Sequence, residues 1–535
     1  MTPSATAADP PQPPAGASED ARRANPFLEF QVVVLAGGSS SRMSSIAGPA
    51  AKSGCCKALL PVGNRPMLWY CLKNLQESRF GDVIVVTQQE EQAEILAYLR
   101  QEFQDVFQRL EVVGLGRAKD ADGGKRADAA HADADGVSDD DDDRVCGTAE
   151  ALRQIKHLLV TDFFVVPCDV IGPVDFFSLA NVHRVENAAC SVYLLRRDYL
   201  AEGAADCLAA QGTAKGKGGG KKKAAEKTDK DASRGNPVAI AFEETETLLL
   251  AIQDRHSISH GAQLAIPKLS LFYYPSVFVK ANLYDPHVYL FKLAALKILE
   301  DPKLRDSLTS LRFDLVPYMS LMQMTPQAAL WSSSRLDCDV FDELLESFDH
   351  PEQKKDQEKE LQTRDDYTLA NRPPKPRKGN KVVFALHPDC AGICCRVNNL
   401  HDYYEMNMKF CSNRTDELRL IMPEWMLPPQ NPKKPQGMRD STVADGAAFE
   451  DGAVVKRSVV GAEVAVAAKA RVTASLLLEG AKIEEDATVQ RCIIGRHATV
   501  GKGCKLTNCQ VRHGYSVPAG TVAEDEVIPL FIEDA

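Results

Sequence analysis

Gln31-Val-Val-Val-Leu-Ala-Gly-Gly-Ser-Ser-Ser-Arg-Met43 is the stretch from which the fold is read. A short apolar strand, Val32 to Leu35, runs straight into Gly37-Gly38, three serines and Arg42. Glycine carries no Cβ, so backbone amides at such a turn can approach a phosphate closely. An arginine beside it offers a fork of donors to the same group. Lys57-Ala-Leu-Leu-Pro-Val-Gly-Asn-Arg-Pro-Met67 follows, a second cationic position leading into an apolar segment. Two glycines at a strand-to-helix turn are common. The order of the two stretches at the head of a domain makes them informative.

Downstream, the pattern alternates. The spacing predicts helices over Pro66–Gln76, Glu90–Gln101 and Thr148–Leu159, and strands over Val83–Thr87, Glu111–Val113 and Phe163–Pro167. The strands are continuous apolar runs, as in a parallel sheet covered on both faces. Repeated β-α-β units make an α/β, Rossmann-like domain, whose ligands sit beyond the carboxyl ends of the strands, where Gly37-Gly38 lies. Inserts interrupt it: an Ala/Asp-rich one over about 117–144, a Gly/Lys-rich one over about 211–234, and a charged, proline-containing stretch over 346–381. None can bury enough apolar area to offset chain entropy, so all three are expected to be disordered, as is the Pro/Ala-rich tail 1–26. The lysine tract Lys221–Lys223 reads as a solvated loop, and the Asp139–Asp143 run lacks the Gly and Glu of a calcium loop. The first domain is therefore placed at 27–345, with a connecting segment at 382–435.

Past Pro435 the period changes. Aliphatic residues recur about every six positions at Val460, Val466, Val472 and Leu478, then Ile483 and Val489, then Ile494, Val500 and Leu506, then Val511 and Val517. Each break is a slip of one residue, and small residues such as Ala470, Ala487, Ala498 and Cys504 fall four places on. This is a hexapeptide repeat, which predicts a parallel β-helix over 436–535 with the aliphatic side chains inside. Such a domain suits assembly rather than chemistry.

The whole chain of 535 residues, 44% hydrophobic, is long enough for two or more cores. Its formal charge of −11 argues against nucleic acid as a direct partner. No apolar run reaches the roughly 18 residues of a membrane span. The 15 cysteines are scattered and follow no secretory signal, which points to a reduced, cytosolic setting.

The two opening stretches resemble the signature of nucleotide-sugar pyrophosphorylases, Leu-Ala-Gly-Gly-x-Gly-Thr-Arg-Leu followed by Pro-Lys-Pro-Leu-Leu-Pro-Val. Ser40 stands where that family has its third glycine, Ser41 replaces threonine, and Cys56 replaces the proline before the lysine. The interval from Arg42 to Lys57 is also longer. Leu60 to Tyr70, Phe80 to Thr87, Phe163 to Val170, Ser310 to Tyr318 and Cys394 to Asn399 are more similar to the gamma-subunit family of eukaryotic translation initiation factor 2B. That resemblance implies a nucleotidyltransferase-like domain joined to a left-handed β-helix. It also implies a cytosolic subunit that pairs with the epsilon subunit and supports GDP/GTP exchange on initiation factor 2. Only a short tail follows the last hexad before Ala535, which favours gamma over epsilon, whose family adds a helical domain.

By the same resemblance, Gly37, Gly38, Arg42, Lys57, Gly147 and Thr148 are candidates for a vestigial nucleotide pocket, and Asp169 is the Mg²⁺ ligand if the pocket is active. Plainer readings stand beside these: Thr148 as a helix N-cap, Asp169 as a capping group at a turn, and Arg42 and Lys57 as surface ion-pair members. Ser310 to Tyr318 reads as a helix ended by a proline, packing between the two domains. No cofactor is required on this reading, with Mg²⁺ and a nucleotide expected only in a retained pocket, and the chain is not an enzyme by itself. The alternative is an active nucleotidyltransferase making GDP-mannose or a similar activated sugar. His256 and His260 lie four apart without the glutamate of a zinc-protease helix, and no Ser-His-Asp or Cys-His constellation stands out.

Overall fold

The computed structural model describes residues 29–38, 43, 45–47, 55–116, 147–196, 237–243, 247–254, 264, 266, 270–271, 274, 276–323, 381–387, 394–411, 422–427 and 438–529. The expectations placed on the tail, the inserts, Arg42, His256 and His260 fall outside these residues. In chain order the strands of the first domain are β1 (Gln31–Leu35), β2 (Pro61–Val62), β3 (Arg65–Pro66), β4 (Asp82–Gln88), β5 (Arg109–Leu115), β6 (Phe163–Pro167) and β7 (Val170–Ile171). They continue as β8 (Cys190–Arg196), β9 (Pro237–Glu243), β10 (Leu249–Asp254), β11 (Val277–Tyr284), β12 (Tyr289–Phe291), β13 (Val382–Leu386) and β14 (Cys395–Arg396). The helices used below are α1 (Met67–Glu77), α2 (Gln92–Glu102), α3 (Thr148–Ile155), α4 (Phe176–Glu186), α5 (Val316–Met322) and α6 (Leu400–Cys411).

β1 sits inside a sheet of order β10-β9-β11-β8-β12-β6-β1-β4-β5. Its neighbours β4 and β6 are both parallel to it, with Val33 opposite Ile84 and Val165. Alternate residues serve opposite faces. Val32, Val34, Val83 and Val85 enter one apolar cluster, while Val33, Ile84, Val86 and Val165 enter another. Burial on both faces is why these strands read as unbroken apolar runs. Beyond β6 the pairing of β12, β8, β11, β9 and β10 is antiparallel.

Val382–Leu386 is no connector: it is β13, parallel to β8 with Val382 opposite Cys190, and it completes the first domain's sheet. A chain-local reading missed it because the charged stretch before it looks like a domain boundary. Ser310 to Tyr318 does not pack between the domains. Leu311, Leu315, Val316 and Met319 join the first domain's own core. Nor does Pro317 end a helix. Leu311–Leu315 is a π-helical turn and Pro317 lies in the first turn of α5, where a missing N–H costs nothing.

Past Met438, three short-stranded parallel sheets stack into a β-helix whose strands run from Met438–Arg439 to Val527–Ile528. Stacked residues are 17 apart in sequence, as for Ser475 over Ser458. Val455, Val472, Val489 and Leu506 stack in one sheet, and Val460, Leu477, Ile494 and Val511 in the next. The interior residue is thus Leu477. Leu478, which the hexad count selected, packs outside against the first domain. Both are leucines, so the composition could not tell which one turned inward.

α6 joins the two domains. Tyr403 Oη donates to Pro61 O at 2.7 Å, and Asn407 Oδ1 accepts from Gly63 N at 2.9 Å. On its other side Tyr404 Oη donates to Ala474 O at 2.7 Å. Asn64 Nδ2 reaches the β-helix directly, donating to Val460 O at 3.0 Å. Outward-facing Val459, Leu476, Leu478 and Ile493 close the same apolar cluster as Tyr70, Met406 and Phe410. Gly63 has φ +55°, and a Cβ there would sit 3.2 Å from the Phe410 ring, so the β2–β3 turn requires glycine twice over.

Candidate functional site

Gly37 and Gly38 lie at the carboxyl end of β1, as the sequence placed them. Ala36 N and Gly37 N both donate to Val86 O, at 2.8 and 3.1 Å. A Cβ at Gly37 would come within 3.1 Å of Gln88 N, while Gly38 has open space. Beside this turn Thr87 Oγ1 donates to Glu91 Oε2 at 3.3 Å. Burial pushes the Glu91 carboxyl up to about 7, against the pull of that hydrogen bond. Sequence reasoning passed over Glu91, because a glutamate in the first turn of a predicted helix looks like an ordinary surface residue.

Lys57 and Asp169 are brought together. Lys57 Nζ is 2.6 Å from Asp169 Oδ2, and it also donates to Asn398 Oδ1 at 2.5 Å. The other carboxylate oxygen is taken too, since Arg396 Nε donates to Asp169 Oδ1 at 2.7 Å. Backbone pairing places Arg396. β14 runs antiparallel to β7, with Arg396 opposite Val170, and Val397 N donates to Asp169 O at 2.8 Å. Arg396 N donates to the Tyr284 hydroxyl at 3.0 Å, and its guanidinium lies 3.2 Å from His287 Nδ1. His287 N donates to Asp285 Oδ1 at 2.7 Å, whose Oδ2 accepts from Tyr289 at the same distance and faces Arg312 Nε at 3.6 Å.

Charge decides what this cluster can do. Burial by itself would raise the Asp169 carboxyl, but Arg396 and Lys57 overcome it and hold the group below the usual carboxylate range. Burial wins at Asp285, whose carboxyl is raised despite Arg312 and Tyr289. A divalent cation such as Mg²⁺ wants several oxygen ligands, usually with carboxylates among them. Both Asp169 oxygens face cations of the chain itself, and its side chain is 2% exposed. Among the described residues no three His, Cys, Asp or Glu groups gather to hold a metal. The donor set around Asp169 does not fit Mg²⁺.

Residues 32–232 match the MobA-like NTP transferase domain, and residues 438–528 match the GMPPB C-terminal domain. Over 403 residues, 74% of this chain and 68% of the relative, the sequence is 25% identical to translation initiation factor eIF2B subunit gamma of Schizosaccharomyces pombe. The chain is a homologue of that gamma subunit. The NTP transferase match covers the glycine turn, Lys57 and Asp169. The fold class expected from the sequence, an α/β nucleotidyltransferase-like domain followed by a β-helix, is the one observed.

The remaining candidates meet other partners. Gly147 occupies the N-cap of α3, and a Cβ there would lie 2.4 Å from Thr309 O. Thr148 is no N-cap. Its Oγ1 accepts from Leu311 N at 2.9 Å, tying α3 to the π-helical turn. A serine–histidine–aspartate arrangement that the sequence hid does exist: Ser191 Oγ is 2.7 Å from His183 Nδ1, and His183 Nε2 is 3.8 Å from Asp162. Ser191 lies in the middle strand β8 at zero exposure, so no substrate reaches it. Arg396 and Asn398 are the site residues the sequence reading missed. Their signal was available in the quoted Cys394-Cys-Arg-Val-Asn-Asn399, where two polar side chains flank a buried valine.

Proposed function

We propose that this chain is the gamma subunit of a translation initiation factor 2B complex. On this reading it supports GDP/GTP exchange on initiation factor 2 together with the epsilon subunit, in the cytosol, with no nucleotidyl transfer of its own. The observation that carries the reading is the gamma-subunit match, which covers 74% of the chain. The self-satisfied charges at Lys57, Asp169 and Arg396 support it, because catalysis by positioning tolerates displacements of only about 1 Å. Among the described residues no helix is long and apolar enough to cross a membrane, and a cytosolic complex needs none. The test is purification of the full chain from its native cells, with identification of what comes with it. Partner subunits, epsilon among them, and initiation factor 2 are the expected companions. A chain that elutes alone would contradict the proposal.

The NTP transferase match favours a second reading, an enzyme making an activated sugar such as GDP-mannose. It requires a divalent cation, a sugar phosphate and a nucleoside triphosphate, and it predicts pyrophosphate release by the pure chain.

A further inference from the structure

The misfit between Asp169 and a divalent cation has a specific cause in the chain. We propose that the Arg396 guanidinium is a built-in replacement for a bound cation, which makes the cleft independent of metal and fastens the first domain to α6. Asp169 lies just past the carboxyl end of β6, on the side of the sheet where ligands gather. A carboxylate buried there is costly unless paired. Lys57 serves one oxygen and Arg396 the other, at 2.6 and 2.7 Å, so two positive charges flank one carboxylate without any exchangeable ion. A guanidinium stays protonated at any ordinary pH and cannot dissociate from its own chain.

The delivery of Arg396 is backbone-encoded. Pairing of β14 with β7, the Val397 N to Asp169 O bond and the Arg396 N to Tyr284 bond fix its Cα, so its side chain reaches Asp169 without a search. The same segment runs on into the inter-domain joint. Asn398 accepts from Lys57, and Asn399 Oδ1 caps α6 by accepting from Asp402 N at 2.7 Å. The ion cluster and the start of the bridging helix are therefore one continuous element. Taking Arg396 away removes the cation that faces Asp169 Oδ1, leaving a hard oxygen donor of the kind a divalent cation accepts.

The test is iron-directed backbone cleavage of the full chain, in which Fe²⁺ with ascorbate and peroxide cuts the peptide next to the ion it replaces. Manganese-dependent thermal unfolding runs in parallel. In the wild type, no cut is expected around 169 or 396–398, and the unfolding midpoint should be indifferent to Mn²⁺. Arg396→Gln should gain cuts at both places and a midpoint raised by Mn²⁺, and Arg396→Gln combined with Asp169→Asn should lose both gains. Cuts around Asp169 in the wild type would overturn the proposal, and that measurement needs no variant to fold. So would a folded Arg396→Gln protein that acquires no cut there. The inference rests on the geometry around Asp169 and not on the exchange-factor reading, so either can fail while the partners that co-purify stay the same.

Discussion

Asp169 shows how far single residues can be read. Its place after an apolar strand, with the family resemblance, marked it as a candidate, and the structure buries it between Lys57 and Arg396. Its neighbours could not be read from the sequence, because Arg396 and Asn398 stand more than two hundred residues downstream, beyond a charged stretch. Neutralising Asp169 leaves two cations facing each other. Asp169→Asn should therefore destabilise the protein by about 3 kcal/mol, read from urea unfolding. Glu91 is the matching case for pH. Its folded pKa of about 7 lies above the ordinary 4.5, so the stability it confers is complete below 4.5 and lost as pH rises through 7. Glu91→Gln should thus gain about 2 kcal/mol on the wild type between pH 5 and pH 8, checked by unfolding midpoints across that range. Lys57 was legible as a cation near the turn and as an ion-pair member, whereas its partners Asp169 and Asn398 followed only from the assembled cleft.

At the scale of elements, the β-helix was the most legible part and still held an unread device. The six-residue period located its coils, but the coil is 17 residues long, so one side of each turn is shorter and the interior position shifts from Leu478 to Leu477. A ladder runs up one corner. Ser458 N donates to Ser441 Oγ at 3.2 Å, Ser475 N to Ser458 Oγ at 3.1 Å, Cys492 N to Ser475 Oγ at 3.2 Å, and Cys509 N to Cys492 Sγ at 3.3 Å. Each rung also donates to a carbonyl two residues back, as Ser475 does to Thr473 O at 2.9 Å. Serine and cysteine are interchangeable here because each offers one donor and one acceptor of small volume. Ser475→Ala leaves the Cys492 amide without its acceptor and should cost about 1–3 kcal/mol, whereas Ser475→Cys should stay within about 1 kcal/mol of wild type. Thermal unfolding of both variants decides it. The Pro61-Val-Gly-Asn-Arg-Pro66 stretch tells the same story. It was noticed as part of a phosphate-site signature, and its backbone and side chains hold α6, the β-helix and, through Arg65, Trp425 O.

Over the whole molecule, these contacts make the two domains one body. The apolar cluster around Tyr70, Tyr403 and Phe410 takes side chains from the first domain, the bridging helix and the β-helix together. Phe410 stacks on Tyr70 with ring centroids 5.9 Å apart. Phe410→Ala should cost about 3–5 kcal/mol and should let the β-helix unfold separately from the first domain, seen as a split in hydrogen-exchange protection between 438–529 and 55–116. Fold class was legible because periodicity is a local property of sequence. The state of the cleft was not, because it depends on a segment more than two hundred residues downstream that packs against Asp169. The decisive experiment is a pyrophosphate-release assay on the purified full chain, with nucleoside triphosphates, sugar 1-phosphates and Mg²⁺. No release above a protein-free control is predicted. Steady release at about 1 s⁻¹ or faster, abolished by Asp169→Asn, would mean that the cleft is a working transferase after all.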